Sequence, residues 1–225
     1  MICLVTDSRR LAAAGAAFGA RRACLVAQAR RAVDAGVDLI QLRERDLDAA
    51  DLAVLAADLR AVTRSTPTRL VVNDRLDVAI ASGADGVHLR GDSIPVAMAR
   101  RIVPPGFLIG RSVHGVDEAV AAAGADYLIA RTVFSSASKP GQARLLGVEG
   151  LRAIVSAVPI PVLAIGGIAG ERISGVAAAG AAGFAAIDLF MGAHGGAEVG
   201  GCRVVELRQT VKNARSRFDM PNTTP

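Results

Sequence analysis

Tryptophan is absent from this 225-residue chain, tyrosine occurs once, and aromatics make up only 3% of it. So few rings leave little for a base-stacking surface or an aromatic cage around a cationic ligand. No stretch approaches the ~20 uninterrupted apolar residues of a membrane span, so the mean hydropathy of +0.39 reflects an interior rich in Ala, Val and Leu. Long basic runs are missing too: the longest are pairs such as Arg9-Arg10 and Arg30-Arg31. A net charge of +5 spread in this way does not form the stripe that nucleic acid requires. Scattered arginines suit small anions, or simply a solvated surface. Cys3, Cys24 and Cys202 stand far apart in no metal or redox spacing. With no signal peptide before them, they are expected to be reduced packing residues of a cytoplasmic protein.

What is abundant is apolar residues, at 52% against 21% charged, which excludes disorder for the bulk of the chain. One unit recurs: Ala35-Gly36-Val37-Asp38-Leu39-Ile40, Ser82-Gly83-Ala84-Asp85-Gly86-Val87, Ala123-Gly124-Ala125-Asp126-Tyr127-Leu128 and Ala179-Gly180-Ala181-Ala182-Gly183-Phe184. In each, an Ala-rich amphipathic run ends at a glycine suited to a left-handed helix cap, and an apolar strand follows. Filling the intervals gives eight strands: Ile2–Thr6, Leu39–Arg43, Leu70–Asn73, Gly86–Leu89, Leu108–Val113, Tyr127–Val133, Val162–Ile165 and Phe184–Leu189. Helical stretches over 48–64, 115–123, 147–157 and 170–179 lie between them. Alternation of this kind predicts a parallel α/β sheet. Eight units of about 28 residues predict a single (β/α)8 barrel over residues 1–219, with Met220–Pro225 a frayed tail. The other candidate, an open doubly wound sheet, calls for a Gly-rich turn after the first strand, and Asp7-Ser8-Arg9-Arg10 is not one. Gly192–Gly201 is expected to be a mobile loop or short turn before the last helix.

In such a barrel the functional groups sit at the C-terminal ends of the strands. Strand two runs into Gln41-Leu42-Arg43-Glu44-Arg45, where alternation turns Gln41, Arg43 and Arg45 to one side. An amide with two guanidiniums suits a phosphate or pyrophosphate, unless the arginines are spent on Glu44 and Asp46. After strand three, Asp74 could ligate Mg²⁺ with phosphate as co-ligand, or Asn73 or Asp74 could cap the next helix. After strand four, Arg90-Gly91-Asp92-Ser93 offers a second carboxylate. Strand five aligns Ser112 with His114, a candidate acid/base or a plain loop residue. Phe134 to Gly141, with Ser135, Ser136, Ser138 and Lys139, reads as an anion cradle or as an ordinary surface loop. Gly166-Gly167 after strand seven would let backbone N–H groups cup a phosphate, and a further site is expected after strand eight.

Seven motifs in register resemble the family of thiamine-phosphate synthase and its relative thiazole tautomerase: Gln41-Leu-Arg-Glu-Arg45, Asn73-Asp-Arg75, Gly83-Ala-Asp-Gly-Val-His-Leu89, Gly110-Arg-Ser-Val-His114, Gly124-Ala-Asp-Tyr127, Phe134 to Lys139 and Ala164-Ile-Gly-Gly-Ile168. The resemblance covers roughly residues 2–192. It implies a barrel that joins aminopyrimidine diphosphate to thiazole phosphate and releases pyrophosphate. One Mg²⁺ would travel with the diphosphate, held by Asp74 and Asp92. Gln41, Arg43, Arg45 and Asn73 would hold the diphosphate, with Ser136 and Ser138 in place of the usual Thr pair. Ser112, His114 and Lys139 would form the catalytic set, with Gly166, Gly167, Ile187 and Asp188 at the thiazole phosphate. The partners implied are small phosphorylated substrates, with neither nucleic acid nor membrane and the oligomeric state open. The departures are Arg45 where the synthase has Lys, Ser93 where a second metal-binding Asp is usual, Arg131 for a Gly, and Asp188 for a phosphate-binding Ser. The tautomerase, which shifts a proton on thiazole carboxylate phosphate with His114 as base, is the alternative. A divergent phosphate-binding barrel is a third. Asp188 itself calls for a neutralising arginine, with Arg131 and Arg111 as candidates, for a carboxylate that swings away, or for a site that no longer takes a phosphate.

Overall fold

Eight short apolar runs become eight strands, because each is buried on both faces and has only its neighbours to satisfy its backbone. The computed structural model describes residues 1–135, 145–191, 197–199 and 201–219. Strands β1 (Ile2–Val5), β2 (Leu39–Leu42), β3 (Arg69–Asn73), β4 (Gly86–Leu89), β5 (Leu108–Val113), β6 (Tyr127–Arg131), β7 (Val162–Ile165) and β8 (Gly183–Ala186) follow one another in chain order around a closed barrel. Helices α1 (Phe18–Asp34), α2 (Ala49–Thr63), α3 (Leu76–Ala81), α4 (Val96–Arg100), α5 (Val116–Ala121), α6 (Gly147–Ala157) and α7 (Ile173–Ala178) alternate with them, and α8 (Arg208–Phe218) follows. The fold is a (β/α)8 barrel. Strands β4, β5 and β7 and helix α6 have the expected bounds, whereas β2, β6 and β8 stop one to three residues early and a short 3-10 turn precedes α7.

The repeated glycines explain the regularity. Gly36, Gly83, Gly124 and Gly180 have φ of 80°, 65°, 88° and 82°, the left-handed region in which a Cβ is costly. Each ends a helical run and turns the chain into the next strand.

The chain forms two compact units. In the first, residues 3–87 and 187–212, β1 pairs in parallel with β2 (Cys3↔Leu39, Val5↔Gln41) and β2 with β3 (Leu39↔Arg69, Leu42↔Val72). Its interior includes Leu4, Leu25, Leu39, Ile40, Leu42, Leu55, Leu59 and Leu70. In the second, residues 1–2, 88–186 and 213–225, β5 pairs with β6, β6 with β7 and β7 with β8, all in parallel. Phe184 stacks on Phe218 there, and its amide donates to the Met1 carbonyl at 3.0 Å.

Two expectations are corrected in the first unit. The segment expected to be a loop contributes β9 (Ala197–Val199) to an antiparallel hairpin with β10 (Cys202–Val204), registered Cys202↔Val199 and Val204↔Ala197. The Arg203 amide donates to the Leu11 carbonyl at 2.7 Å, and Ala12 bridges to Cys202, so the hairpin is pinned to the turn after β1. Nor are all three cysteines reduced: Cys24 and Cys202 form a disulfide with Cα atoms 5.3 Å apart, and only Cys3 is free and buried. The expected tail 220–225 and residues 192–196 and 200 lie outside the described residues.

Candidate functional site

In the first unit, polar groups follow β2, β3 and β8. Gln41 is 3% exposed, and its amide N–H donates to the Asn73 side-chain carbonyl at 2.9 Å. Its Oε1 is buried without a partner among the described residues. An unmet buried acceptor is costly, so a ligand that supplies a donor or a cation is favoured there. Arg43 is half-buried, with its backbone N–H donating to Thr6 Oγ1 at 2.8 Å. β2 ends at Leu42, so alternation no longer fixes the facing of Arg45, which is exposed in the following turn.

Glu44 and Asp46 have an arginine partner that the sequence reading did not consider. Glu44, 6% exposed, accepts from Thr6 Oγ1 (2.7 Å), Ser8 N (3.0 Å) and Ser8 Oγ (2.6 Å), and Arg21 pairs with both Glu44 and Asp46. Arg21, on α1, therefore takes the partners proposed for Arg43 and Arg45. Its hydrogen bond holds the Asp46 carboxyl below the usual carboxylate range. Asp74 has φ 66°, a left-handed conformation that Asp tolerates better than most residues. Helix α3 starts beyond it, with Arg75 as N-cap and no side-chain capping bond from that residue.

After β8, Ile187 turns the chain by accepting from the Phe190 and Met191 amides at 3.0 and 2.9 Å. Asp188 has an ion-pair partner that the sequence reading did not name. Its partner is Arg10, from the 3-10 turn after β1, whose guanidinium Nη1 donates to Asp188 Oδ1. Sequence reasoning missed Arg10 because the two residues are 178 positions apart.

In the second unit, Arg111 points to the loop after β4, donating to the Gly91 and Ile94 carbonyls at 2.8 Å each. Asp92 is paired with Arg90 (Nε to Oδ1, 2.9 Å), which lowers its pKa. Ser93 Oγ accepts from the Arg90 amide at 2.9 Å. His114 is exposed, with Nδ1 3.0 Å from Glu118 Oε2, which also accepts from the His114 backbone N–H. Ser112, 5% exposed, pairs inward with His88, a residue passed over in the sequence. Gly166 and Gly167 have φ 107° and 59°. A Cβ on Gly166 would overlap Thr132, and one on Gly167 would overlap the Ser135 carbonyl, so the backbone passes where only glycine fits. Arg172 caps this turn, donating to the Gly167 carbonyl at 2.7 Å and lying 5.1 Å over the Phe134 ring. Ser136, Ser138 and Lys139 lie outside the described residues.

Among the described residues, no three His, Cys, Asp or Glu side chains gather as a metal cage. Mg²⁺ is commonly held by one or two carboxylates together with substrate phosphates, so Asp74 fits it as a hard oxygen donor. Asp92 is the poorer candidate because Arg90 already occupies its carboxylate.

Eight parallel strands closed in chain order and alternating with helices define a (β/α)8 barrel, a class whose active sites sit at the C-terminal ends of the strands. The sequence pattern of one family, thiamine monophosphate synthase, matches residues 4–190, and this chain belongs to that family. It is 48% identical over 166 residues to a thiamine-phosphate synthase of Methanoculleus marisnigri, covering 73% of this chain and 79% of the relative. It is 40% identical over 190 residues to that of Moorella thermoacetica, covering 84% and 89%. Among solved structures, thiamine phosphate pyrophosphorylase from Pyrococcus furiosus superimposes with a TM-score of 0.77 at 34% identity, covering 97% of this chain and 95% of that one. A 3-hexulose-6-phosphate synthase at 17% identity and TM-score 0.61 shares the fold alone.

Proposed function

We propose that this chain is a thiamine-phosphate synthase, a transferase that joins aminopyrimidine diphosphate to thiazole phosphate and releases pyrophosphate. The observation that carries this reading is the polar set at the ends of β2 and β3: a buried Gln41 amide, bonded to Asn73, two residues from the half-buried Arg43. Gln41, Arg43 and Asn73 bind the diphosphate, joined by Arg45, Ser136 and Ser138. Gly166 and Gly167 take the thiazole phosphate, and Ile187 and Asp188 belong to the same ligand. Ser112 and Lys139 steady the charge that builds up as the bond to pyrophosphate breaks. Fixed donors of this kind are effective because they need no reorganisation as charge develops. Asp74 would hold Mg²⁺, which when bound supplies positive charge to the departing pyrophosphate. His114, exposed and tied to Glu118, is peripheral in this chemistry. The proposed domain is residues 1–219. No helix among the described residues is long and apolar enough to cross a membrane.

Calorimetry with pyrophosphate tests the diphosphate half. Arg43→Ala should weaken binding by about 1.5–3 kcal/mol, the range for a charged hydrogen bond. Unchanged affinity would remove Arg43 from the site.

A further inference from the structure

His88 sits on β4, 1% exposed, and the proposed chemistry gives it no part. Its Nε2 lies 2.9 Å from Ser112 Oγ on β5, and its Nδ1 lies 3.2 Å from the Tyr127 hydroxyl on β6. All three residues belong to the same compact unit. The strand between His88 and Tyr127 makes room for this row. A Cβ on Gly110 would overlap the Tyr127 ring and stand 2.6 Å from His88 Nδ1, so β5 carries no side chain at that point. A glycine in mid-strand is costly, and here it admits a chain of hydroxyl, imidazole and hydroxyl.

Burial, with help from the positive charges of Arg131 and Arg111, drives the His88 pKa down to about 3. Near neutral pH the ring therefore has one N–H and one lone pair, and two tautomers are open to it. If the Tyr127 hydroxyl donates to Nδ1, then Nε2–H donates to Ser112 Oγ, and the serine keeps its own hydrogen to give elsewhere. If Nδ1–H donates to Tyr127 instead, Nε2 takes the Ser112 hydrogen and the serine presents only lone pairs. An anionic ligand is served by the first arrangement alone. A phenol is the more acidic hydroxyl and the better donor, which favours that same arrangement.

We propose that His88 is a positioning residue, held by Tyr127 in the Nε2–H tautomer so that the Ser112 hydroxyl is fixed as a hydrogen-bond donor toward the phosphorylated substrate. This rests on the reading that Ser112 meets the diphosphate.

The test begins with the wild-type full chain labelled with ¹⁵N-histidine, at pH 7. The His88 ring nitrogens should show the Nε2–H tautomer, and an Nδ1–H ring or an even mixture would overturn the proposal. Pyrophosphate affinity, measured by calorimetry, supplies a readout that does not depend on turnover. Ser112→Ala should weaken it about tenfold and Tyr127→Phe about three- to tenfold. The double variant should bind no more weakly than Ser112→Ala. If Tyr127→Phe costs the same in both backgrounds, its effect is packing and the proposal fails. It also fails if Ser112→Ala binds as tightly as wild type. His88→Gln, which keeps a donor near the Nε2 position, should retain affinity within about threefold, whereas His88→Leu should lose at least tenfold. Equal loss in both folded variants would again contradict the proposal. Wild type that binds pyrophosphate through this coupled row but makes no thiamine phosphate would leave the positioning role intact and reject the synthase reading instead.

Discussion

Asp188 places a carboxylate where the proposed chemistry needs a phosphate, and Arg10 neutralises it. The pair explains how a synthase could carry this residue: together the two side chains are uncharged, and Arg10 still has guanidinium N–H groups to offer. Asp188→Ser, which frees the Arg10 guanidinium, should therefore bind thiazole phosphate at least as tightly as wild type. Arg10→Ala, which strands the carboxylate beside a dianion, should weaken it about tenfold or more, since charges 4 Å apart interact by roughly 4 kcal/mol at an effective dielectric of 20 before screening. Weaker binding in Asp188→Ser, or unchanged binding in Arg10→Ala, would mean that the pair does not hold the site neutral. His88 makes a second residue-scale prediction. Its folded pKa of about 3 lies below the unfolded value of 6.5, so between those pH values the unfolded chain binds more protons. Stability linked to this ring is complete above pH 6.5 and is lost as the pH falls toward 3, at up to about 1.4 kcal/mol per pH unit. Urea unfolding of wild type and His88→Gln between pH 7 and 4.5 should show the steeper loss in wild type; parallel curves would contradict it. At this scale the sequence was only partly legible. Gln41, Arg43 and Asn73 could be picked out because polar residues at the end of an apolar strand are conspicuous. Arg10, Arg21 and His88 could not, because their partners are set by the closure of the barrel.

Strands and helices were far more legible, for a physical reason. Every strand is a short apolar run buried on both faces, and Gly36, Gly83, Gly124 and Gly180 mark the joints with positive φ. Strand ends were less so: β2 stops where the Arg43 amide turns to the Thr6 side chain, and β8 stops where the chain turns through Ile187. The β9–β10 hairpin was hidden by its glycine-rich composition, and the Cys24–Cys202 disulfide by a separation of 178 residues. That disulfide ties α1 to the hairpin, which is itself bonded to Leu11 beside Arg10. Denatured, unreduced protein should accordingly show one reactive thiol per chain, from Cys3, rising to three after reduction. Cys24→Ser should lower the melting temperature by roughly 5–15 °C, as expected for the ~2–4 kcal/mol typical of a disulfide in a chain of this size. Three reactive thiols without reductant would contradict the bridge.

Across the whole molecule, one feature joins composition to chemistry. The chain is rich in arginine and poor in aromatic rings, and many of its arginines are committed to carboxylates and backbone carbonyls: Arg10, Arg21, Arg90, Arg111 and Arg172 each bond to partners in loops and turns. The scattered basic residues thus help to organise the loops of a barrel. The (β/α)8 class was legible because it rests on local alternation repeated eight times, and membership of the thiamine monophosphate synthase family agrees with it. The central claim is that this barrel makes thiamine phosphate. The most direct measurement incubates the purified full chain with aminopyrimidine diphosphate and thiazole phosphate, with Mg²⁺ or with EDTA, and follows thiamine phosphate and pyrophosphate together. The account predicts equimolar formation of both products with Mg²⁺ and a loss of at least a hundredfold in EDTA. Folded protein that forms neither product with Mg²⁺ would contradict it.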